Sequence, residues 1–477
     1  MNIHLVLLLI YSVLQVLLGL WIGRRVRSTG DFFVAGRRLG PGLLFSTMVA
    51  ANIGAGSTVG AAGLGYRDGL AAWWWVGSAG IGSLVLAFAV GPRIRRLAQE
   101  HDLRTVGDFL ERRYHPSVRG TIALLLWLGT LAILAGQLIA LAWVLNVVAG
   151  LPKHVGCLIG GLVMTTYFTA GGLLTAARVN LVQLVVMMAG FALALPLALG
   201  RAGGWDAVVA ATPSAGDYWS FWQGGESGWM YLALLAPAFV ISPGLLQKVY
   251  GGRDDRTVRI GVGGNAAVLL VFAFIPPALG IIARALHPGL GHHELALPTI
   301  LMRDLPPLVG SLGLAAVVSA EVSSADAILF MLATSLSQDL YRGFVNPGAT
   351  DAQVLKVARW AAVVGGGLGV ALAVIAPSVI GVLSVFYTLL SVSLFVPVVA
   401  GLYIRRVETP EALAAIASGV AFVLAWQVAA GGRGFGPISA PLAGLVAAAL
   451  ACAAVALLRR RYHGPSAAGR SVQGGSR

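Results

Sequence analysis

The chain has 477 residues, of which 57% are hydrophobic and only 11% are charged, and its formal net charge is +14. Soluble domains carry about 25% charged residues, so this composition excludes an ordinary soluble domain and favours a membrane protein. The positive charge is spread over many loops and never gathers on one face, which argues against a nucleic-acid partner.

Stretches of about 20 apolar residues recur along the chain, and each is long enough to cross the hydrocarbon core as a helix. The pattern predicts an all-α polytopic membrane protein with about thirteen transmembrane helices. Arginines, and no small-residue cleavage site, follow the first span, so it is predicted to be a retained helix and not a signal peptide. The predicted spans lie near residues 3–22, 41–63, 70–92, 120–149, 154–170, 179–200, 228–248, 260–284, 308–338, 357–376, 379–403, 411–430 and 438–458.

Arginines follow every second predicted span, whereas the alternate loops carry few basic residues. Because cytoplasmic loops are enriched in Lys and Arg, this alternation predicts an external N-terminus and a cytoplasmic C-terminus in the cell (plasma or inner) membrane. The polar tail 461–477 is predicted to be disordered and cytoplasmic. The basic loops contain Arg24–Arg27, Arg93–Arg119, Arg253–Arg259, Arg342, Arg405–Arg406 and Arg459–Arg461.

Two further classes of protein find little support in the motifs. Gly261–Gly264 opens an apolar run and follows no strand, so it does not indicate a nucleotide-binding loop. No Walker-type loop is present in the sequence, and we predict neither an enzyme nor a cofactor. The short polar tail leaves no room for a signalling module, which disfavours a membrane sensor.

The segment Ser319–Asp326 places hydroxyls and acids inside an otherwise apolar run. Glu321 and Asp326 are the only charged residues between Leu308 and Ser335. A carboxylate at that depth is costly, so it commonly faces an ion or a water-filled path. Ser323, Ser324 and Asp326 lie within one helical turn and offer the oxygen ligands that hard cations prefer. The segment predicts part of an ion site in a carrier.

Two predicted spans are interrupted near their middle. Ala50–Gly56 is rich in Gly, Ala and Asn, and Ile241–Gly244 contains a proline, which removes a hydrogen-bond donor from a helix. Unwound backbone in a membrane is tolerated where it lines a cavity, and paired broken helices are typical of inverted-repeat transporters. Both breaks are therefore predicted to border a ligand cavity.

Several ordered segments resemble the sodium/solute symporter family. The matches run in order along nearly the whole chain, so together they carry more weight than any one alone. They are Asp31–Arg38, Ser46–Gly54, Gly60–Tyr66, Gly171–Leu173 with Asn180 and Gln183, Ser319–Asp326 with Ser337–Arg342, and Leu394–Tyr403.

The resemblance implies a leucine-transporter-type core in a single transporter domain, 1–460. Two inverted five-helix repeats are expected at 38–202 and 228–404. One extra helix precedes them within 1–30, and two more follow within 409–460.

The resemblance also implies a sodium site. Its ligands are expected to be the backbone carbonyls of Ala50, Ile53 and Ala320 and the hydroxyls of Ser323 and Ser324. Five neutral oxygens replace the hydration shell of Na⁺ and leave no fixed charge when the ion departs.

Two positions depart from the family pattern. Asn180 stands where many members carry aspartate, and Asp326 stands where a hydroxyl or small residue is usual. Asp326 and Asn180 are therefore predicted to form a second cation site or the ion's exit path. Glu321 points away from Ser323 and is expected to pair with Arg178 or another polar group.

Asn52, Ser57, Gln137 and Ser242 are the expected solute ligands by the same resemblance. Val76 occupies a position where sugar carriers tend to have a polar residue, which disfavours a sugar. Broken-helix N-termini offer N–H groups to an anion, which favours a carboxylate or amino acid.

The predicted function is Na⁺-coupled symport of a small organic solute by alternating access. The expected partners are Na⁺, the solute and the lipid bilayer. Proton-coupled transport through Asp326 is the main alternative, and a sensor or channel-like protein is a weaker one.

Overall fold

The computed structural model describes residues 3–23, 37, 39–169, 173–213, 216–430 and 439–463, and nearly all of them are helical. Most of the motif Asp31–Arg38, the pair Gly171–Gly172, the loop arginines Arg24–Arg27 and the tail beyond 463 lie outside the described residues. The helices are α1 Ile3–Gly23, α2 Pro41–Asn52, α3 Ala61–Asp68, α4 Trp73–Val85, α5 Gly91–Glu100, α6 Val106–Arg113, α7 Pro116–Ala149, α8 Lys153–Thr169, α9 Leu173–Arg201, α10 Trp205–Ala211, α11 Tyr231–Ile241, α12 Pro243–Tyr250, α13 Asp255–Phe272, α14 Ile275–Leu286, α15 Ala296–Arg303, α16 Pro307–Thr334, α17 Asp351–Ile375, α18 Val379–Tyr403, α19 Thr409–Ala430 and α20 Ala440–His463.

Short elements join or extend these helices. A two-residue hairpin pairs β1 (Gln223–Gly224) with β2 (Ser227–Gly228) in antiparallel register between α10 and α11. The π-helical segments are Gly56–Gly60, Leu86–Val90 and Ser335–Val345, and the 3₁₀ turns are Gly69–Ala72, Asp217–Trp219 and His293–Leu295.

The prediction of an all-α polytopic membrane protein is confirmed. In the described part of the chain, ten helical segments are long and apolar enough to span a membrane. The count of about thirteen spans stays a prediction. The helix predicted over 70–92 continues through α5 to Glu100, because the arginines of α5 find carboxylate partners, among them Asp255 at 2.7 Å from Arg95.

Helix α16 is the centre of the bundle. Its residues 310–334 are almost entirely buried, and the helix packs against α7, α9 and α17, whereas α19 and α20 pack mainly on each other and leave most of their surface exposed. Acids and serines on α16 are therefore enclosed by protein and not by lipid, which is the condition under which a membrane helix can carry them.

The extra helix α1 is fastened to the core by polar contacts. His4 Nδ1 lies 2.8 Å from Ser311 Oγ on α16, and Gln183 on α9 donates to Gln15 Oε1 at 2.7 Å. Hydrogen bonds of this kind help to hold membrane helices together, where hydrophobic burial adds little.

Both predicted helix breaks are present. Helix α2 ends at Asn52, Ile53 adopts an extended conformation (φ −96°, ψ 100°), and the chain resumes as the π-helical segment Gly56–Gly60. Helices α11 and α12 meet at Ser242, where Pro243 opens the second half. Backbone hydrogen bonds from Leu39 to Gly251 (3.0 Å) and from Arg253 to Leu39 (3.2 Å) join the two broken helices at one end.

Candidate functional site

The five oxygens predicted to bind sodium come together in the fold. Ser323 Oγ lies 2.8 Å from the Ala50 carbonyl oxygen and 3.1 Å from that of Ala320. Ser324 Oγ lies 3.1 Å from the Ile53 carbonyl oxygen and 3.3 Å from that of Ala50. All five groups are buried. The cluster joins the break after α2 to the middle of α16.

The break itself supplies the free carbonyls. In a continuous helix the Ala50 carbonyl would accept from the N–H of Gly54, but that N–H donates to Ser57 Oγ at 2.9 Å. The Ile53 carbonyl would accept from the N–H of Ser57, which donates instead to the Gly54 carbonyl at 3.0 Å. Two carbonyls are thereby released toward α16.

Gly54 is required by the close approach of the two helices. A Cβ atom at this position would lie 2.3 Å from Ser324 Oγ and 2.8 Å from Gln137 Oε1. Only a residue without a side chain lets the broken helix come this near to both α16 and α7.

A central cavity between the helices adjoins the oxygen cluster. The four predicted solute ligands Asn52, Ser57, Gln137 and Ser242 all line it, and so does Ser324 of the ion cluster. The structure therefore brings the four predicted solute ligands together around one cavity, which Ser324 of the oxygen cluster also lines. Its apolar walls include Trp75, Val76, Phe239, Phe386 and Tyr387.

Two of these four side chains also hold the break in place. Gln137 Oε1 accepts from the N–H of Ala55 at 2.9 Å, and Ser57 Oγ lies 3.0 Å from the Asn52 carbonyl oxygen. The Asn52 side chain donates to Asn265 Oδ1 at 3.0 Å. The polar lining is thus preorganised, which lowers the cost of ordering it around a ligand.

Asp326 and Asn180 have separate contacts. The Asn180 amide donates to Thr47 Oγ1 at 3.4 Å, one turn before Ala50. Asp326 interacts electrostatically with Lys248 on α12. The role of both residues as a second cation site or exit path stays a prediction.

Lys248 was not among the residues predicted from the sequence. Its side chain is buried, and among the described residues that line the cavity it is the only charged one. The signal was available, because Lys248 is the single charged residue between Tyr231 and Tyr250. A charge inside an apolar span points to function by the same reasoning that singled out Asp326.

Glu321 contacts a polar group, as expected. Its Oε1 lies 2.8 Å from Thr58 Oγ1, on the π-helical segment that follows the break. The side chain of the other expected partner, Arg178, lies outside the described residues. Glu321 therefore ties α16 to the second half of the broken helix.

Comparisons with known proteins agree over most of the chain. A sequence profile described as "Sodium:solute symporter family" matches residues 32–419. The sodium/pantothenate symporter of Escherichia coli (strain K12) is 28% identical over 464 residues, covering 91% of this chain and 93% of that protein. The sodium/glucose cotransporter of Vibrio parahaemolyticus is 24% identical over 462 residues, covering 87% of this chain and 83% of that protein.

Solved structures show the same fold. A Na⁺-coupled sialic acid symporter, in a substrate-bound outward-open state, superposes with a TM-score of 0.80 at 19% identity, covering 96% of this chain and 98% of that one. Mhp1, a nucleobase-cation-symport-1 family transporter, superposes with a TM-score of 0.56 at 16% identity, covering 91% and 95%.

Paired broken helices around a buried cavity, set in a bundle of apolar spans, define a secondary transporter of the leucine-transporter type with an inverted-repeat core. It is a multi-pass membrane transporter and not an enzyme. The chain belongs to the sodium:solute symporter family, so its partners are Na⁺, as the coupling ion, and a small-molecule solute.

Proposed function

We propose that this transporter carries a small organic carboxylate or amino acid across the cell membrane together with Na⁺, by alternating access. One observation carries the proposal: Ser324 belongs to the five-oxygen cluster and also lines the central cavity. An ion held by Ser324 and a solute in the cavity therefore share a wall. Occupation of either site then changes the affinity of the other, and this coupling is reciprocal.

The ion at this cluster is Na⁺ and not a proton. Its ligands are three carbonyls and two hydroxyls, none of which titrates near neutral pH, and hard oxygen ligands suit a small hard cation. Asp326, three residues beyond Ser323 on the same helix face, together with Asn180 forms a second cation site or the exit path for the first ion.

The solute is a carboxylate or amino acid and not a sugar. Val76 gives the cavity an apolar wall where a sugar would need a hydrogen-bond partner. Ser242 and Gly244, at the start of α12, face the cavity beside a helix N-terminus, which favours negative charge. The pantothenate symporter and the osmoregulated proline transporter OpuE of Bacillus subtilis (23% identical) are named for solutes that bear a carboxylate.

The sodium site is tested by uptake into proteoliposomes. Liposomes with an inward Na⁺ gradient are compared with K⁺ controls for a panel of radiolabelled solutes, with pantothenate and proline first. Replacing both Ser323 and Ser324 by Ala is expected to abolish Na⁺-stimulated uptake, because two of five ligands are lost.

The double variant is expected to insert and purify normally, because both serines become a small apolar residue. Unchanged sodium dependence would refute the ion site. Uptake driven by pH and insensitive to Na⁺ would favour the proton-coupled alternative. Na⁺ binding without transport of any solute would favour a sensor or a channel-like protein.

A further inference from the structure

A lysine faces the central cavity from the second half of a broken helix. Lys248 lies near the end of α12, and only 3% of its surface is exposed. The described lining of the cavity otherwise consists of neutral polar, apolar and aromatic residues. A solute in this cavity therefore meets a single fixed charge among the lining residues, and that charge is positive.

A buried ammonium needs a counter-ion, because removing a charge from water costs several kcal/mol unless an opposite charge compensates it. Asp326 on α16 provides this charge, since helices α12 and α16 are in contact and the two side chains interact electrostatically. Asp326 itself does not line the cavity in the described structure, whereas Lys248 does. A solute in the cavity can therefore contact Lys248 without contacting Asp326.

We propose that the carboxylate of the solute binds Lys248 and replaces Asp326 as its counter-ion. The inference rests on the proposed transport function and identifies the group that selects the solute by charge. Ser242 lies six residues earlier, about 9 Å along the helix axis at 1.5 Å per residue. A solute of that length meets Lys248 with its carboxylate and Ser242 with a polar group at its other end.

The same lysine excludes cations. Trp75, Phe239 and Tyr387 line the cavity, and aromatic faces of this kind attract quaternary ammonium groups. Without Lys248 the cavity would suit such a ligand. The Lys248 ammonium lines the cavity and the Asp326 carboxylate does not, so a cationic solute meets the positive member of this pair first and is repelled, which opposes the aromatic attraction.

Exchange of the counter-ion also links the solute to the cations. When the solute carboxylate takes over Lys248, the negative charge of Asp326 is no longer neutralised by the lysine. Asp326 lies three residues from Ser323 on α16, so its charge favours a cation on that side of the helix. Solute binding then raises cation affinity, and cation binding raises solute affinity to the same extent.

The test uses purified full-length protein in detergent and matched pairs of ligands that differ in charge. Each carboxylate is paired with its uncharged analogue: pantothenate with pantothenol, L-proline with L-prolinamide, lactate with lactamide and acetate with acetamide. Choline is the cationic probe. Binding is measured by thermal shift and calorimetry in the presence of Na⁺. We expect at least one carboxylate to stabilise the protein, with its uncharged analogue and choline giving little effect.

Two variants remove the lysine. Lys248→Met leaves Asp326 without its counter-ion and is expected to lower the melting temperature, whereas Lys248→Met with Asp326→Asn removes both charges and is expected to recover stability. The double variant is expected to bind the carboxylate about 30-fold more weakly or worse, and to lose its preference over the uncharged analogue. Lys356→Met, at an exposed position of α17, is the matched control and is expected to change neither.

Three results would overturn the inference: no carboxylate stabilises the protein, uncharged analogues or choline bind as well as carboxylates, or the double variant keeps its preference. If the proposed Na⁺ coupling is wrong, a different result is expected: Na⁺ does not stabilise the wild-type protein. If carboxylates are preferred and the Lys248→Met/Asp326→Asn variant keeps that preference, only the role of Lys248 is refuted. If Na⁺ stabilises the wild type but not the Ser323→Ala/Ser324→Ala variant, while no preference for carboxylates appears, the carboxylate solute and the role of Lys248 are both refuted and the sodium site stands.

Discussion

Gly54 lies between the oxygen cluster and the cavity. Its lack of a side chain is needed for the geometry of both. Its N–H is diverted to Ser57, which frees the Ala50 carbonyl, and its Cα faces Ser324 and Gln137 closely enough to exclude a Cβ. Backbone conformation and side-chain space are thus set by one residue.

Gly54→Ala is expected to weaken Na⁺ binding about tenfold or more, because the new methyl group displaces Ser324 from the Ile53 carbonyl. The measurement is Na⁺-dependent thermal stabilisation of the purified variant. Gly42→Ala on α2 is the matched control, since a Cβ there meets nothing within 4 Å and alanine favours the helix. Equal Na⁺ affinity in the two variants would refute this role for Gly54.

Asp326 and Asn180 lead to a second prediction for single residues. Asp326→Asn is expected to lower the sodium dependence of uptake, because it removes the negative charge beside Ser323. Combining Asn180→Asp with Asp326→Ser returns an acid to the neighbouring helix and is expected to restore part of that dependence. The measurement is uptake against Na⁺ concentration at several pH values.

Normal sodium and pH dependence in Asp326→Asn would mean that the carboxylate has a structural role only. Glu321→Gln provides the comparison on the same helix. The amide oxygen still accepts from Thr58 Oγ1, and Glu321 has no part in the proposed ion path, so this variant is expected to leave the pH dependence of uptake unchanged.

Among the elements, the 3₁₀ turn His293–Leu295 before α15 is hydrogen-bonded to the N-terminus of α18. Glu294 is fully buried; its Oε1 accepts from the N–H of Val379 at 2.7 Å and its Oε2 from Trp143 at 3.0 Å. Burial raises the pKa of Glu294 to about 7, and these hydrogen bonds reduce the shift without reversing it. His292, 3.9 Å from Oε2, and Lys153 are the basic groups nearby.

Because the pKa of Glu294 is raised on folding, the folded state holds its proton more tightly than the unfolded state. The free energy of unfolding is therefore expected to fall by about 3 kcal/mol as pH rises from about 4.5 to 7. Burial lowers the pKa of His293 to about 4, which acts in the opposite direction over much of this range. The wild-type protein is therefore compared with Glu294→Gln, because this variant keeps the contribution of His293 to the pH dependence of the free energy of unfolding.

The melting temperature of the wild type minus that of Glu294→Gln is expected to decrease with rising pH between about 4.5 and 7 and to be level above it. The measurement is thermal unfolding in detergent across this range. A difference that does not vary with pH would mean that Glu294 keeps its ordinary pKa in the folded protein.

The predicted and observed ends of α16 differ for a physical reason. The apolar run predicts a helix to about residue 338, but α16 continues without interruption as the π-helical segment Ser335–Val345. There Asp339 pairs with Arg119 at 3.2 Å, and Arg119 also donates to the Gln338 carbonyl at 2.8 Å. The apolar run ends where charged residues begin, but the helix continues because Asp339 pairs with Arg119 on α7.

For the whole molecule, the alternation of basic loops predicts the orientation in the membrane. A cysteine-free background (Cys157→Ala, Cys452→Ala) carries a single new cysteine at Asn2 or Ser471. Membrane-impermeant maleimide on intact cells is expected to label the first and not the second, because Lys- and Arg-rich loops stay in the cytoplasm.

Cysteines in two predicted loops on opposite sides calibrate the labelling. His154→Cys is expected to behave as the external end and Arg256→Cys as the cytoplasmic end. Labelling of both termini from the same side would mean that the number of spans is even, contrary to the predicted thirteen.

Patterns along the chain were enough to predict the class of protein. Apolar runs, alternating arginines and two interrupted helices are patterns along the chain, and they give the membrane fold and the position of both breaks without knowledge of packing. The five predicted sodium ligands and the four predicted solute ligands were reached through the family resemblance, and the structure brings each set together.

The contacts between groups on different helices could be seen only in the folded structure. Ser323 and Ala50 are 273 positions apart, and no periodicity along the chain reports their contact. The hydrogen bond between Thr58 and Glu321 and the electrostatic interaction between Lys248 and Asp326 likewise depend on which helix faces pack together. Hydropathy places a charge within a span, but its partner, and therefore its role, is set by the interlocking of helices that are distant in sequence.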